Sequence, residues 1–193
     1  MGYALVTPPA LEPLTLAEAK VHCRVDDTSE DDLLTALIVA ARKHCENYTG
    51  ASFVTQTWRA DFWRFPCYRG SLRLPHGPVQ SITSISYYDD LGVDTVLDAS
   101  DYDTDLTERL AKVWLAPDEA LPAVQVQPNA VRVTYVAGFG ATAASVPQTI
   151  RQAMLLLIGQ WYDNRSASAE KALTETPHAV AALLAGHVIP TLA

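Results

Sequence analysis

The hydrophobic period of this chain changes twice, and that change limits the fold more than any motif does. Between residues 30 and 49, Leu33, Leu37, Ala41, Cys45 and Tyr48 recur three or four apart, with Leu34 and Ile38 widening the stripe. That spacing is one face of a helix. From Phe53 to Trp63 the chain is aromatic and β-branched, the composition of a strand. Helical spacing returns after Pro147, where Ile150, Met154, Leu157, Ile158 and Trp161 form one stripe and Leu155 and Tyr162 broaden it. The expected class is α+β. It is a small bundle of about four helices with a β-rich insertion between the second and third. The helical core takes 1–52 and 139–193, and the insertion takes 53–138.

Local signals set the helix ends. Thr15-Leu16-Ala17-Glu18 reads as a capping box, with Leu14 ahead of it as a staple, so a first helix should run to about Cys23. Ser29 is the expected N-cap of the second helix, with Glu30, Asp31 and Asp32 at the positive end of its dipole. Gly50 is placed to close that helix. Pro147 suits a first helical turn, where its missing N–H costs nothing. A short last helix should start at Pro177 and stop at Gly186.

Inside the insertion, Ser71 to Pro75 and Val79 to Tyr88 alternate. Asp89-Asp90-Leu91-Gly92 signals a turn, and Val93 to Leu97 is the expected hairpin partner. Tyr102, Val113 to Leu115 and Val131 to Val136 supply further strands. Trp58 and Phe62 should share one strand face, and Arg59, Asp61 and Trp63 the other.

The charge is as uneven as the period. The net charge is −8 over 193 residues, and residues 84–120 alone hold ten acids against Arg109 and Lys112. Such a chain is not built to grip nucleic acid through its phosphates. With 49% hydrophobic residues and a mean hydropathy of +0.05, it has enough apolar material for a core. It has no stretch near the roughly 20 apolar residues of a membrane span. Met1 to Val6 does not read as a secretory signal. Three cysteines, Cys23, Cys45 and Cys67, do not make a disulfide scaffold, and a reducing compartment is expected.

A search for chemistry finds no catalytic set, so a non-enzymatic role with no cofactor and no metal is expected. The His22-Cys23 and His44-Cys45 pairs lack zinc-ligand spacing, and helical neighbours point about 100° apart. Asp101-x-Asp103-x-Asp105 starts like an EF-hand loop but has Leu106 where glycine is needed and Lys112 where the bidentate Glu belongs. Gly138-Phe139-Gly140 lacks the rest of a phosphate loop. Trp58, Trp63 and Tyr68, interleaved with Arg59, Arg64 and Arg69, offer an alternative reading as a β-rich ligand- or saccharide-binding module.

Four stretches, in order, resemble the head–tail connector (adaptor) family of bacteriophages and gene transfer agents. They are Leu14-Thr15-Leu16-Ala17-Glu18-Ala19-Lys20 through Asp26, followed by Asp31-Asp32-Leu33-Leu34 and closed by Tyr48-Thr49-Gly50; Leu74-Pro75-His76-Gly77-Pro78-Val79 running to Asp89; Val133-Thr134-Tyr135-Val136-Ala137-Gly138-Phe139-Gly140 with Val146-Pro147; and Trp161-Tyr162-Asp163-Asn164-Arg165 with Pro177 to Leu184. The resemblance implies a virion structural protein, made in the host cytoplasm and placed at the head–tail junction. It implies a homo-oligomeric ring, typically dodecameric, docked beneath the portal protein. It implies a downstream joining or stopper protein as a further partner, passage of DNA through the ring without specific binding, and no membrane. It also implies a portal-docking arm near the C-terminus, for which Val180, Leu183, Leu184, Val188, Ile189 and Leu192 are the candidates. The acidic residues Asp89, Asp90, Asp94, Asp98, Asp101, Asp103 and Asp105 are candidates for a channel wall or a partner-facing surface.

Overall fold

The capping box forms as the sequence predicts. In the computed structural model, which describes residues 2–66, 70–116, 122–164 and 178–189, Thr15 caps helix α1 (Leu16–Cys23). Its Oγ1 accepts from the Glu18 amide at 3.2 Å, while Glu18 Oε2 accepts from the Thr15 amide at 2.9 Å. Helix α2 spans Asp31–Thr49, and Gly50, at φ 67°, turns the chain there while its N–H bonds the Glu46 carbonyl. That left-handed turn suits a residue without Cβ. The N-cap of α2 corrects the reading from sequence. It is Glu30, without a side-chain cap, because Ser29 folds back onto Asp27 Oδ1 through both its amide and its hydroxyl.

Helix α3 (Gln148–Asp163) follows an uncapping Pro147, which takes the N-cap place rather than the first turn. Helix α4 covers His178–Leu184. Helices α2 and α3 pack together, α1 packs on both, and α4 lies on α3 and α2. The buried line of α2 is Leu34, Ile38, Ala41, Arg42, Cys45 and Thr49. This is a second correction: Leu33 and Tyr48 face outward, and Leu37 is half-buried. Both lines have helical spacing, and only the neighbouring helices select between them. On α3 the buried residues are Ile150, Ala153, Met154, Leu157 and Ile158.

The β elements are β1 (Gly2–Thr7), β2 (Gln56–Phe62), β3 (Leu72–Leu74), β4 (Val79–Tyr88), β5 (Asp94–Val96), β6 (Tyr102–Asp105), β7 (Ala111–Leu115) and β8 (Val131–Ala137). They form two antiparallel sheets, ordered β1-β2-β8-β4-β5 and β3-β7-β6. The core of this part draws on both: Ala60, Ile85, Val131, Val133 and Tyr135 from the first, Leu72, Leu74 and Val113 from the second. Strand β8 sits centrally and alternates buried and half-buried residues along its whole length, the pattern of a strand covered on one face.

The chain divides into two compact units. The helical unit holds 11–54 and 139–188. The β unit holds the described residues of 1–10, 55–138 and Ile189. Strands β2 to β8 fall between α2 and α3 along the chain, but β1 comes before α1. The sequence places residues 1–52 with the helices, whereas Gly2 to Thr7 pair with β2, Tyr3 opposite Ala60 and Leu5 opposite Trp58. An isolated six-residue segment has no period long enough to show this. Phe53 and Val54, expected to open the strand, are instead buried in the helical unit.

Candidate functional site

In the β unit, the strand phase sorts polar from apolar side chains. Trp58, Ala60 and Phe62 turn toward the core, while Arg59 and Asp61 turn away from it. On β8, Val131, Val133 and Tyr135 are buried and Arg132 takes the opposite face. The outcome is a polar cleft of about 520 Å³ lined by Arg59, Asp61, Tyr88, Gln125, Asn129 and Arg132, among others. Both cations in it lie beside a carboxylate. Arg59 donates from Nε to Asp61 Oδ1 at 2.9 Å and from Nη2 to Oδ2 at 3.3 Å. Arg132 Nη2 lies 2.5 Å from Asp94 Oδ1, and its guanidinium sits 4.7 Å over the Tyr88 ring. The hydrogen bond that Arg132 donates to Asp94 raises the Arg132 pKa against the opposing effect of burial. A cleft with paired charges, amides and one phenol suits a polar protein surface. It offers no nucleophile beside a base. Sequence reasoning singled out Arg59 but missed Arg132. The signal was a lone arginine in the polar phase of an otherwise apolar strand.

The aromatic reading of the same strand changes once packing is seen. Trp58 stacks on His76, with ring centroids 3.9 Å apart and planes 8° from parallel, and Tyr3 meets both rings edge-on. One face of Trp58 is therefore covered by the protein itself. Burial lowers the His76 pKa, which favours the neutral ring in that stack. Trp63 is exposed beyond the end of β2, and Tyr68 lies outside the described residues. The three residues of the saccharide reading do not form a described platform.

The acidic candidates spread over several elements. Asp89 closes the β4–β5 turn by accepting from the amides of Leu91 and Val93, and Asp90 is exposed in that turn. Asp94 is the partner of Arg132. Asp98 caps a short 3₁₀ turn by accepting from the Ser100 amide at 3.0 Å, and Asp101 accepts from the Ser100 hydroxyl. Asp103 and Asp105 are on β6, in the other sheet. Asp105 takes bonds from the hydroxyl and amide of Thr107. These bonds hold Asp98 and Asp105 below the usual carboxylate range, chiefly through the Ser100 amide in one case and the Thr107 hydroxyl in the other. Most of these aspartates thus have turn-building work in addition to their charge.

In the helical unit, α4 is anchored. Val180 and Leu184 are 1% and 0% exposed, against α3 and α2. These two candidates for portal docking are thus packed within their own subunit: a seven-residue helix is not stable alone and takes its stability from packing. Ile189 is buried too, within the β unit. Leu183 and Val188 are half-buried, and Leu192 lies outside the described residues. His187 Nε2 is 2.8 Å from Thr149 Oγ1, which ties the end of this segment to α3. His44 sits edge-on to Trp161, and Cys45 is buried, its thiol pushed up to about 12 mainly by burial. Among the described residues no three His, Cys, Asp or Glu side chains are placed to hold a metal ion.

Comparison with known proteins places this arrangement. Residues 13–90 match the family described as phage gp6-like head-tail connector protein. No curated protein matches the chain by sequence. Among solved structures, the chain is similar to a protein in the virion of a native gene transfer agent (GTA) particle, with TM-score 0.80 and 25% identity, covering 100% of this chain and 98% of that one. It is also similar to chains in the neck of an empty GTA particle computed with C6 symmetry (TM-score 0.78) and of a native GTA particle computed with C12 symmetry (TM-score 0.70). Both are 24% identical over the same shares.

Proposed function

We propose that this chain, a head–tail connector of the phage and gene transfer agent kind, works as a structural neck protein: one copy in a ring beneath the portal that joins head to tail and lets DNA through. The observation that carries this reading is the full-length structural likeness to a GTA virion protein, 100% of one chain on 98% of the other, together with the family match over 13–90. The matched chains come from necks described with sixfold and twelvefold symmetry. A ring of copies is the arrangement that this symmetry supports for this chain.

The charge fits a passage for DNA. A wall with net negative charge repels phosphate and lets the duplex slide. The C-terminal segment is proposed as the portal side. There Val180 and Leu184 anchor α4, leaving half-buried Leu183 and Val188 to meet the portal.

Removal of the chain from the producing cell tests the proposal. Heads should fill but fail to acquire tails, and particles made with a tagged chain should carry the tag at the neck. Tailed, infectious or transfer-competent particles formed without the chain would overturn it.

A further inference from the structure

The five-stranded sheet ends in two unlike edges, and the exposed apolar side chains of the β unit gather there. Strand β1 forms one end and β5 the other; among the described residues each is paired on one side only. The β unit exposes eight large hydrophobic residues among those described, and six sit at these ends. Tyr3, Leu5 and Val6 are on β1. Leu91, Val93 and Val96 are on β5 or the turn leading to it. Strand β1 reads Gly-Tyr-Ala-Leu-Val-Thr, with no charge and no proline. Natural edge strands normally carry such blocking residues unless the edge is to be paired.

The hydrogen-bond phase shows what β5 presents. The Leu97 amide bonds the Ile85 carbonyl and the Asp89 amide bonds the Val93 carbonyl, so Val93, Thr95 and Leu97 point their backbone groups inward to β4. Antiparallel ladders alternate. The N–H and C=O groups of Asp94 and Val96 therefore point outward. Charge also differs between the two ends. Beside β1, Arg64 is exposed just past β2, whereas Arg59, opposite Ala4, is already paired with Asp61. Around β5, Asp90 and Asp98 are exposed, and Asp94 is already paired with Arg132.

We infer that the β1 edge of one copy pairs with the β5 edge of the next, so that neighbouring subunits of the ring are joined by strand addition. The inference rests on the connector reading and deepens it by naming the subunit contact. A cyclic ring needs a heterologous contact, one patch against a different patch, and a sheet with two complementary ends supplies it. Backbone bonds give the pairing, and the apolar side chains on both edges lose water when it forms. A β1–β1 pairing between copies would instead close a two-fold dimer.

Full-length chain carrying both Leu5→Cys and Val96→Cys, assembled into particles and treated with a short bismaleimide, tests the contact. The expected result is a ladder of covalent multimers, with each single variant giving no more than the background of the unmodified chain. Covalent dimers from Leu5→Cys alone, or necks that contain the double variant yet yield no ladder, would overturn the inference and leave the connector reading standing. Necks lacking the chain altogether would sink both. A second pair of variants gives an independent readout. Leu5→Glu, which sets a carboxylate against the aspartates of the β5 end, should melt like the unmodified chain but lose at least tenfold in neck incorporation, and Val96→Lys in the same chain should restore it. Normal incorporation of Leu5→Glu would equally count against the contact.

Discussion

Arg42, on the buried line of α2, grips Glu12 with two hydrogen bonds, Nε to Oε2 at 2.7 Å and Nη2 to Oε1 at 3.1 Å. Its Nη1 also donates to Glu46 Oε2 at 2.8 Å, and Glu46 Oε1 takes the Phe53 amide at 2.9 Å. Burial alone would lower the Arg42 pKa, but the bond it donates to Glu12 and the charges of Glu46 and Glu12 raise it. One guanidinium thus ties the segment before α1, and through Glu46 the segment after α2, to the helix. Removing one partner of such a group leaves a buried charge short of its match.

Glu12→Ala should therefore destabilise the protein by about 1.5–3 kcal/mol, the scale of a lost charged hydrogen bond, because Glu46 still pairs Arg42. Glu12→Gln, which keeps one acceptor, should cost less. Urea unfolding followed by circular dichroism measures both, and equal midpoints for Glu12→Ala and the unmodified chain would contradict the argument.

The shifted face of α2 makes a paired test. Leu34 is fully buried, so Leu34→Ala should cost about 2–5 kcal/mol, whereas Leu33→Ala, on the solvent side, should stay within about 0.5 kcal/mol. The reverse order in chemical denaturation would restore the stripe through Leu33 and Tyr48.

Leu184→Ala should also cost about 2–5 kcal/mol, because Leu184 is fully buried on the helical bundle. Deletion of 178–193 should lower the melting temperature for the same reason. A truncated chain with native-like melting that merely fails to join portal-bearing heads would show instead that the segment is a free docking arm.

The capping box gives a pH signature. Hydrogen bonding, first from the Thr15 amide, lowers the Glu18 pKa, with Thr15 Oγ1 and Arg151 adding to it against the effect of burial. A depressed carboxylate pKa contributes stability above its unfolded value, and that contribution fades as pH falls through the folded one. Glu18→Gln should thus flatten the loss of stability below about pH 4.3, the ordinary glutamate value. Thr15→Ala should cost about 1 kcal/mol at neutral pH. Thermal melts across an acid series would show both, and an unchanged acid limb in Glu18→Gln would count against the cap.

At physiological salt the free chain should bind duplex DNA more weakly than about 10⁻⁶ M, the tight end of ordinary non-specific binding. Its net charge of −8 motivates this. Fluorescence anisotropy with a labelled duplex checks it, and submicromolar, salt-sensitive binding would point to Arg59 and Arg64 instead.

Features encoded in adjacent residues were legible from sequence alone. The capping box of α1, the Gly50 stop, the β4–β5 hairpin and the alternation of β8 each depend on groups a few residues apart, and local geometry carries them. The family resemblance was legible for a related reason, since it rests on short stretches whose order along the chain can be read directly. Features that depend on distant partners were not. Whether Leu33 or Leu34 faces inward depends on where α1, α3 and α4 lie, because both lines have helical spacing. The place of β1 depended on a partner more than fifty residues away, Tyr3 on Ala60. The pairing of Arg42 with Glu12 joins residues 30 apart, and the cleft at Arg59 and Arg132 joins two strands separated by most of the β unit. The sequence by itself determined the helices, most of the strands, the α1 cap and the Gly50 stop, because hydrogen bonds and side-chain periods act over one or two turns. Only the tertiary structure decided which faces are buried, which strand forms the edge and that α4 belongs to the core, because those follow from long-range packing that no local pattern encodes.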